Sequence, residues 1–319
     1  MNKNKNFLDT FGGLFSSTAQ LQRIVILSGV VLVLLAGSTV GYYFYDRYYT
    51  PEQSLAVEGI EAGEAAVRED PNNLDKRLAL ADTYLVNQKY EQAISLVTSV
   101  LIIEQDNPRG LIILGIAYAK SNQPDLAIEP LQKFIELNKD ADMPGLNKQL
   151  QSAAYYLGDS FIQLEQWGNA IVVLEQNYQW NKMDADTMVK LATAYAGNGN
   201  NEDALKLFHK ATEFVPDFKE AYEGELSIFE ATGQDALADY SKGMIAYCDN
   251  DFDKAKELLQ KALEADSSQA PIYNGLGMVY EAVQDYENAL IGYENALSID
   301  PNYIPAKTGY GRITILLNK

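Results

Sequence analysis

The chain has 319 residues and carries 25 Lys plus Arg against 44 Asp plus Glu, a net charge of −19, with one histidine, His209, and one cysteine, Cys248. A lone cysteine excludes a disulfide framework and any multi-cysteine metal site, and a lone histidine excludes a His-rich metal centre. The acidic balance argues against non-specific binding to nucleic acid or anionic lipid, which needs clustered Lys and Arg.

The charge changes character near residue 46. Residues 1–47 hold Lys3, Lys5, Arg23 and Arg47 against Asp9 and Asp46, a local +2, which leaves −21 for the rest. Residues 1–23 read as a short tail. Within it Phe7, Leu8, Phe11, Leu14 and Phe15 recur at helical spacing, interrupted by Gly12, Gly13, Ser16 and Ser17. An interfacial or partner-binding helix and a loosely ordered tail both fit that pattern.

Ile24–Tyr45 is an uncharged run with Val-Val-Leu-Val-Leu-Leu at its centre. As a helix it spans about 33 Å, enough to cross a hydrocarbon core of about 30 Å. Tyr42, Tyr43, Tyr45, Tyr48 and Tyr49 cluster at its exit, where amphipathic rings favour the interface. The run exceeds the apolar core of a cleaved signal peptide and lacks its small-residue exit, so it reads as a retained transmembrane helix. Lys3, Lys5 and Arg23 precede it and only Arg47 follows closely. The positive-inside rule therefore places the N-terminus in the cytoplasm and residues 46–319 on the extracytoplasmic side of a bacterial membrane. Gly37 and Gly41 form a G-x-x-x-G, the spacing that permits close helix approach and a homodimer through the membrane helix. Residues 46–70 form a juxtamembrane linker and helix, Glu58–Glu69 being its helical part.

From there a pattern repeats. Leu276, Gly277, Tyr280, Tyr286, Ala289, Tyr293, Ala296 and Pro301 set it. The same spacing recurs as Leu114, Gly115, Tyr118, Ala127, Leu131 and Phe134; as Leu157, Gly158, Phe161, Trp167, Ala170 and Leu174; as Leu191, Ala192, Tyr195, Ala204, Phe208, Ala211 and Pro216; and as Leu80, Ala81, Tyr84, Tyr90 and Ala93. A small residue on a first helix lets a second helix cross closely, the alanine nine after the Tyr is the matching notch, and the Pro ends a unit. The small positions Ala81, Gly115, Gly158, Ala192, Leu226, Gly243, Gly277 and Gly311 step by 34, 43, 34, 34, 17, 34 and 34 residues. The step of 43 holds an insertion near Asp140–Lys148. The step of 17 is half a unit, and Leu226 is a poor substitute for Gly, which predicts a degenerate unit over 219–248 with an unpaired helix or altered pitch. Such a change of curvature would separate two binding surfaces; decay of a repeat is the other reading.

This array resembles the tetratricopeptide repeat (TPR) family, a helix–turn–helix unit repeated about every 34 residues. The resemblance implies an all-α fold: a right-handed TPR superhelical solenoid of roughly seven units over 71–303, preceded by a single transmembrane helix and closed by a capping helix over 304–319. It also implies that the first helix of each unit lines a concave groove that binds extended peptides or helices. The matching positions here are Asp75, Leu78, Asp82, Ile112, Ile116, Tyr155, Asp159, Val189, Thr193, Asn274, Met278 and Glu281. That mixture of acids, aliphatics and Tyr suits protein partners with basic or apolar segments. The Lys- and Asn-rich clamp with which some members hold acidic C-terminal tails is absent, Asp, Ile and Tyr standing there instead.

No phosphate-binding loop, zinc-protease motif or nucleophile elbow is present. Asp249–Asp253 begins like a calcium loop but has Lys254 and Gln260 where Gly and Glu are required, so it reads as a turn between repeat helices. His209 and Cys248 read as structural. No cofactor and no enzyme activity are expected. The functional reading is a membrane-tethered scaffold that assembles or stabilises a membrane-associated protein complex. A chaperone-like accessory of protein export and a permanent subunit of a large membrane assembly stand as alternatives.

Overall fold

The computed structural model describes residues 55–140 and 143–317, together with Ser38. Among them lie fifteen α-helices and no strand. Ile24–Tyr45, with Gly37 and Gly41, lies outside the described residues except for Ser38. No helix among the described residues is long and apolar enough to cross a membrane. The chain divides into two units, one ending at Glu69 and the other beginning at Asp70. In the first, α1 (Leu55–Glu69) has Glu58 in its first turn and Arg68 in its last, complementing the helix dipole at both ends.

The second unit is a continuous series: α2 (Leu74–Val86), α3 (Tyr90–Leu101), α4 (Pro108–Lys120), α5 (Pro124–Leu137), α6 (Lys148–Gln163), α7 (Trp167–Trp180), α8 (Ala185–Gly197), α9 (Asn201–Phe214), α10 (Lys219–Thr232), α11 (Asp235–Cys248), α12 (Phe252–Ala265), α13 (Ala270–Ala282), α14 (Tyr286–Ile299) and α15 (Ile304–Leu317). Starts are marked chemically. Asn73, Asn107, Asn147 and Asp251 each accept a backbone N–H of the first turn they precede. Pro108 and Pro124 sit at first-turn positions, where the missing N–H costs nothing.

The notch geometry follows the sequence spacing. A side chain at Gly115 or Gly158 would collide with Leu131 or Leu174, and one at Gly243 or Gly277 would sit 2.8 Å from Leu259 or Tyr293. In every case the residue struck lies sixteen positions on and four after a fully buried alanine: Ala127, Ala170, Ala255 or Ala289. Gly311, the last small position, has open space beside it and so serves no such crossing. Buried clusters join along the series, Leu101 bordering the first two and Tyr178, Tyr195 and Leu207 the second and third.

A second periodic signal marks the turn inside each unit. Gln88, Asn122, Glu165, Gly199, Gly233, Asn250 and Gln284 all have left-handed backbone, with φ between 55° and 83°. Gly233 and Asn250 lie only 17 apart, so the α10–α11 and α11–α12 connections are both turns of the kind that ends a first helix. Helix packing agrees. Contacts between alternate helices run α2–α4–α6–α8–α10 and then α11–α13–α15. Helix α11 therefore fills two places: it is the partner of α10 and also the first helix of the following unit. Leu226 occupies the notch position of α10, half-buried, whereas the close crossing forms between Gly243 and α12.

The insertion behind the step of 43 contains a single 3₁₀ turn, Pro144–Leu146. The buried Gln151 amide donates to the carbonyls of Gly145 (2.7 Å) and Pro144 (3.2 Å). Asn177, also buried, takes the place of an apolar residue on α7 and donates to Gln151 O and to Thr187 Oγ1 at 3.2 and 3.0 Å. This polar network fixes the insertion to the array.

Candidate functional site

Because α11 serves twice, the first helices α11, α13 and α15 follow one another directly behind the α9–α10 turn. Together they enclose a cleft of about 620 Å³. Tyr247 and Cys248 come from α11, Met278 and Glu281 from α13, Pro305 and Arg312 from α15, and Glu213, Pro216 and Asp217 from the end of α9 and the turn after it. The start of α15 and the α9–α10 region share this locality: burial, then the charges of Glu225 and Glu213, push the Tyr303 phenol up. The Tyr222 hydroxyl donates to Pro216 O at 3.0 Å, which holds the turn in place.

One wall is a closed polar network. Arg312 donates Nε and Nη2 to the two oxygens of Glu281 at 2.5 and 2.7 Å, and the Tyr293 hydroxyl donates to the same carboxylate at 2.6 Å. Burial alone would raise the Glu281 pKa, but those Arg312 and Tyr293 bonds hold it below its ordinary value. The pairing ties α13, α14 and α15 together and leaves Arg312 with its charge satisfied. The apolar part is made by Tyr247, Phe252 and Met278, the two rings 5.8 Å apart and tilted by 56°. Beside them the Cys248 thiol is pushed up to about 12, by burial first and by Asp217 and Asp249 next.

The rim is different. Glu213 and Asp217 are exposed, and among the described residues no basic group lies within ion-pair distance of either. Lys219, two residues beyond Asp217, is held by both oxygens of Asp249 at 2.7 and 2.9 Å. One turn back on α9, His209 Nδ1 lies 2.7 Å from Oε1 of Glu225, whose side chain is fully buried on α10. Among the described residues no other hydrogen-bond partner reaches either Glu225 oxygen.

Of the positions expected to line a groove, Met278 and Glu281 face this cleft. Asp82, Ile112 and Ile116 line a separate hollow of about 210 Å³ with Leu85 and Lys148, and Asp82 there is gripped by Arg109. Asp75 is exposed. Tyr155 is half-buried and packs edge-on against Tyr156, its phenol raised by burial and then by Asp159 and Asp186. Asp159 is paired with Lys190 at 2.5 Å, and the Thr193 hydroxyl donates to its own helix at Val189 O. Leu78, Val189 and Asn274 are taken up by packing: their exposures are 1%, 6% and 4%. First helices touch one another along the array, so positions facing along that row are covered by the next helix rather than left for a partner. Glu213, Asp217, Tyr247 and Arg312 were not among the expected positions. The step of 17 was the available signal, since only the half unit brings these four together.

Models of the tetratricopeptide repeat match residues 53–112, 185–214 and 240–304, in step with the units described above. The chain belongs to the tetratricopeptide repeat family. TPR proteins mediate protein–protein interaction and complex assembly. This TPR chain is 24% identical over 281 residues to anaphase-promoting complex subunit 3 of Schizosaccharomyces pombe, covering 81% of the chain and 40% of that protein. It is 25% identical over 191 residues to the peroxisomal targeting signal receptor of Kluyveromyces lactis, covering 51% and 34%. The chain thus spans well under half the length of these relatives. Among solved structures, MamA aligns at 25% identity with a TM-score of 0.44, covering 58% of this chain and 97% of MamA.

Proposed function

We propose that this TPR chain is a membrane-tethered interaction scaffold that assembles or stabilises a protein complex, its array binding protein partners on the extracytoplasmic side of a bacterial membrane. The observation that carries the binding role is the cleft between α9 and α15. It is large, it is reached from solvent, and two of its rim carboxylates are without a cation among the described residues. A volume of about 300–1,000 Å³ is typical of pockets that enclose a ligand segment. The tether rests on the uncharged run Ile24–Tyr45 and the Lys3, Lys5 and Arg23 that precede it. Anchoring raises the local concentration of the cleft near membrane partners, so modest contacts suffice. No catalytic role is assigned: the buried titratable groups described above hold helices together, and none of them combines a nucleophile with an adjacent base.

In-cell crosslinking of the tagged full-length protein, followed by mass spectrometry, tests this reading. The expected result is one or two partners captured at fixed sites in near-equal stoichiometry, all from the membrane fraction. Capture of a broad set of exported proteins would replace the scaffold with a chaperone-like role. A tagged protein found wholly in the soluble fraction would remove the tether.

A further inference from the structure

The cleft is selective in its charge. Among the described residues its walls contain one basic side chain, Arg312, whose charge Glu281 consumes through two hydrogen bonds, and Tyr293 donates a third to the same carboxylate. Lys219, two residues beyond Asp217, is consumed by Asp249. Glu213 and Asp217 are what remain: two exposed carboxylates on one lip, above a bed of Tyr247, Phe252 and Met278. Among the described residues lining the cleft, a cation meets no like charge left unpaired, and its aliphatic stem finds apolar surface beneath. An aromatic ring on the same bed adds attraction for a cation over its face. An acidic ligand meets the opposite, two carboxylates and no unengaged base. The field inside points the same way, since burial and then Glu281 and Asp217 raise the Tyr247 phenol.

We infer that the cleft between α9 and α15 receives a lysine or arginine side chain of an extended, otherwise apolar segment of a partner protein, with Glu213 and Asp217 holding the charged head and Tyr247 and Met278 the stem. The inference rests on the scaffold reading and specifies its partner. It assigns recognition to residues of the α9–α10 turn and α11 as well as to α13, so an array lacking the half unit would not carry this site.

The test uses the full-length protein in detergent micelles and fluorescence anisotropy with four labelled dodecapeptides, alike except for a central Lys, Arg, Gln or Glu flanked by Leu and Ala. The Lys and Arg peptides are expected to bind, the Gln peptide to bind about tenfold more weakly and the Glu peptide not at all. The preference should shrink as salt screens the exposed pair. Whichever of Lys and Arg binds more tightly names the head group. In E213Q/D217N, which disturbs no ion pair, the Lys and Arg peptides should fall to the affinity of the Gln peptide. Equal affinity for Lys and Gln peptides, or an unchanged preference in E213Q/D217N, overturns the inference, as does failure of all four to bind. A photo-crosslinker placed at Thr308 and, separately, at Ile116 keeps this apart from the scaffold reading. If E213Q/D217N abolishes partner capture at position 308 but not at 116, the cleft is the basic-segment site. If capture at 308 persists in that variant, the inference falls while the scaffold stands. Capture at neither position in the unsubstituted protein removes both.

Discussion

At the residue scale the least ordinary arrangement is His209 against Glu225. A fully buried carboxyl is costly to hold without a partner, and here its one partner is a histidine ring that is itself half exposed. Burial alone would lower the His209 pKa, but the hydrogen bond and charge of Glu225, with Glu213 adding to them, raise it above its ordinary value. A group whose folded pKa is raised contributes stability that is fully present below its unfolded pKa of about 6.5 and is lost as pH rises through the folded value. Unfolding by denaturant should therefore show stability declining above about pH 6.5 in the unsubstituted protein and much less so in His209→Ala. That variant should also lose about 2 kcal/mol at pH 6, because Glu225 is left buried and unpaired. Flat pH profiles for both would show that the pair is not charged. Cys248 offers a separate check. With its thiol pushed up to about 12, alkylation by iodoacetamide at pH 8 should be far slower than for an ordinary exposed cysteine, and unfolding should restore the normal rate.

At the scale of elements, two repeating devices set the array, and they differ in how far the sequence reveals them. The notch is legible because chemistry enforces it: where Leu131, Leu174, Leu259 or Tyr293 crosses, even the Cβ of an alanine would force a shift, so Gly stands there. Gly158→Val should accordingly cost about 1–3 kcal/mol through overpacking, read as a lower denaturant midpoint with unchanged slope. The left-handed turn is nearly invisible by comparison. Gln88, Glu165 and Gln284 adopt φ values that favour glycine, and they persist because the helices on both sides dictate the turn. Glu165→Gly should stabilise by about 1 kcal/mol, whereas Gly233→Ala should destabilise by a similar amount. The insertion around Pro144 reads in the sequence only as extra length. Its stitching by Gln151 and Asn177 could not be foreseen, since a polar residue at an apolar position of the pattern looks like decay until its partners are seen.

At the scale of the whole molecule, the all-α repeat architecture followed from periodicity, while the site followed from the second of its two interruptions, the step of 17. The expected groove positions assume an open row of first helices. That holds for Met278 and Glu281, which face the cleft, and fails for Leu78, Val189 and Asn274, which the next helix covers. Of the rim residues, Glu213 is exposed at the end of α9 and Asp217 lies in the connection after it, where repeat spacing carries no information. A chain in which the half unit is completed to a full one by a further helix inserted after Thr232 tests the link between the interruption and the site. It should keep its helical content and melt cooperatively, yet lose the binding of Lys and Arg peptides. Retained binding would mean that the cleft does not depend on the shared helix.

The double role of α11 also bears on how this array comes apart. In a stacked repeat protein each unit is stabilised by itself and by its two neighbours, so opening normally proceeds one unit at a time and can begin at any weak seam. Here the α10–α11 and α11–α12 interfaces share one helix, so releasing α11 dissolves two hairpins at once. Amide exchange should be slowest across Asp235–Cys248. The irregularity that makes the sequence look worn at its middle is then the clasp that makes two adjoining hairpins open as one.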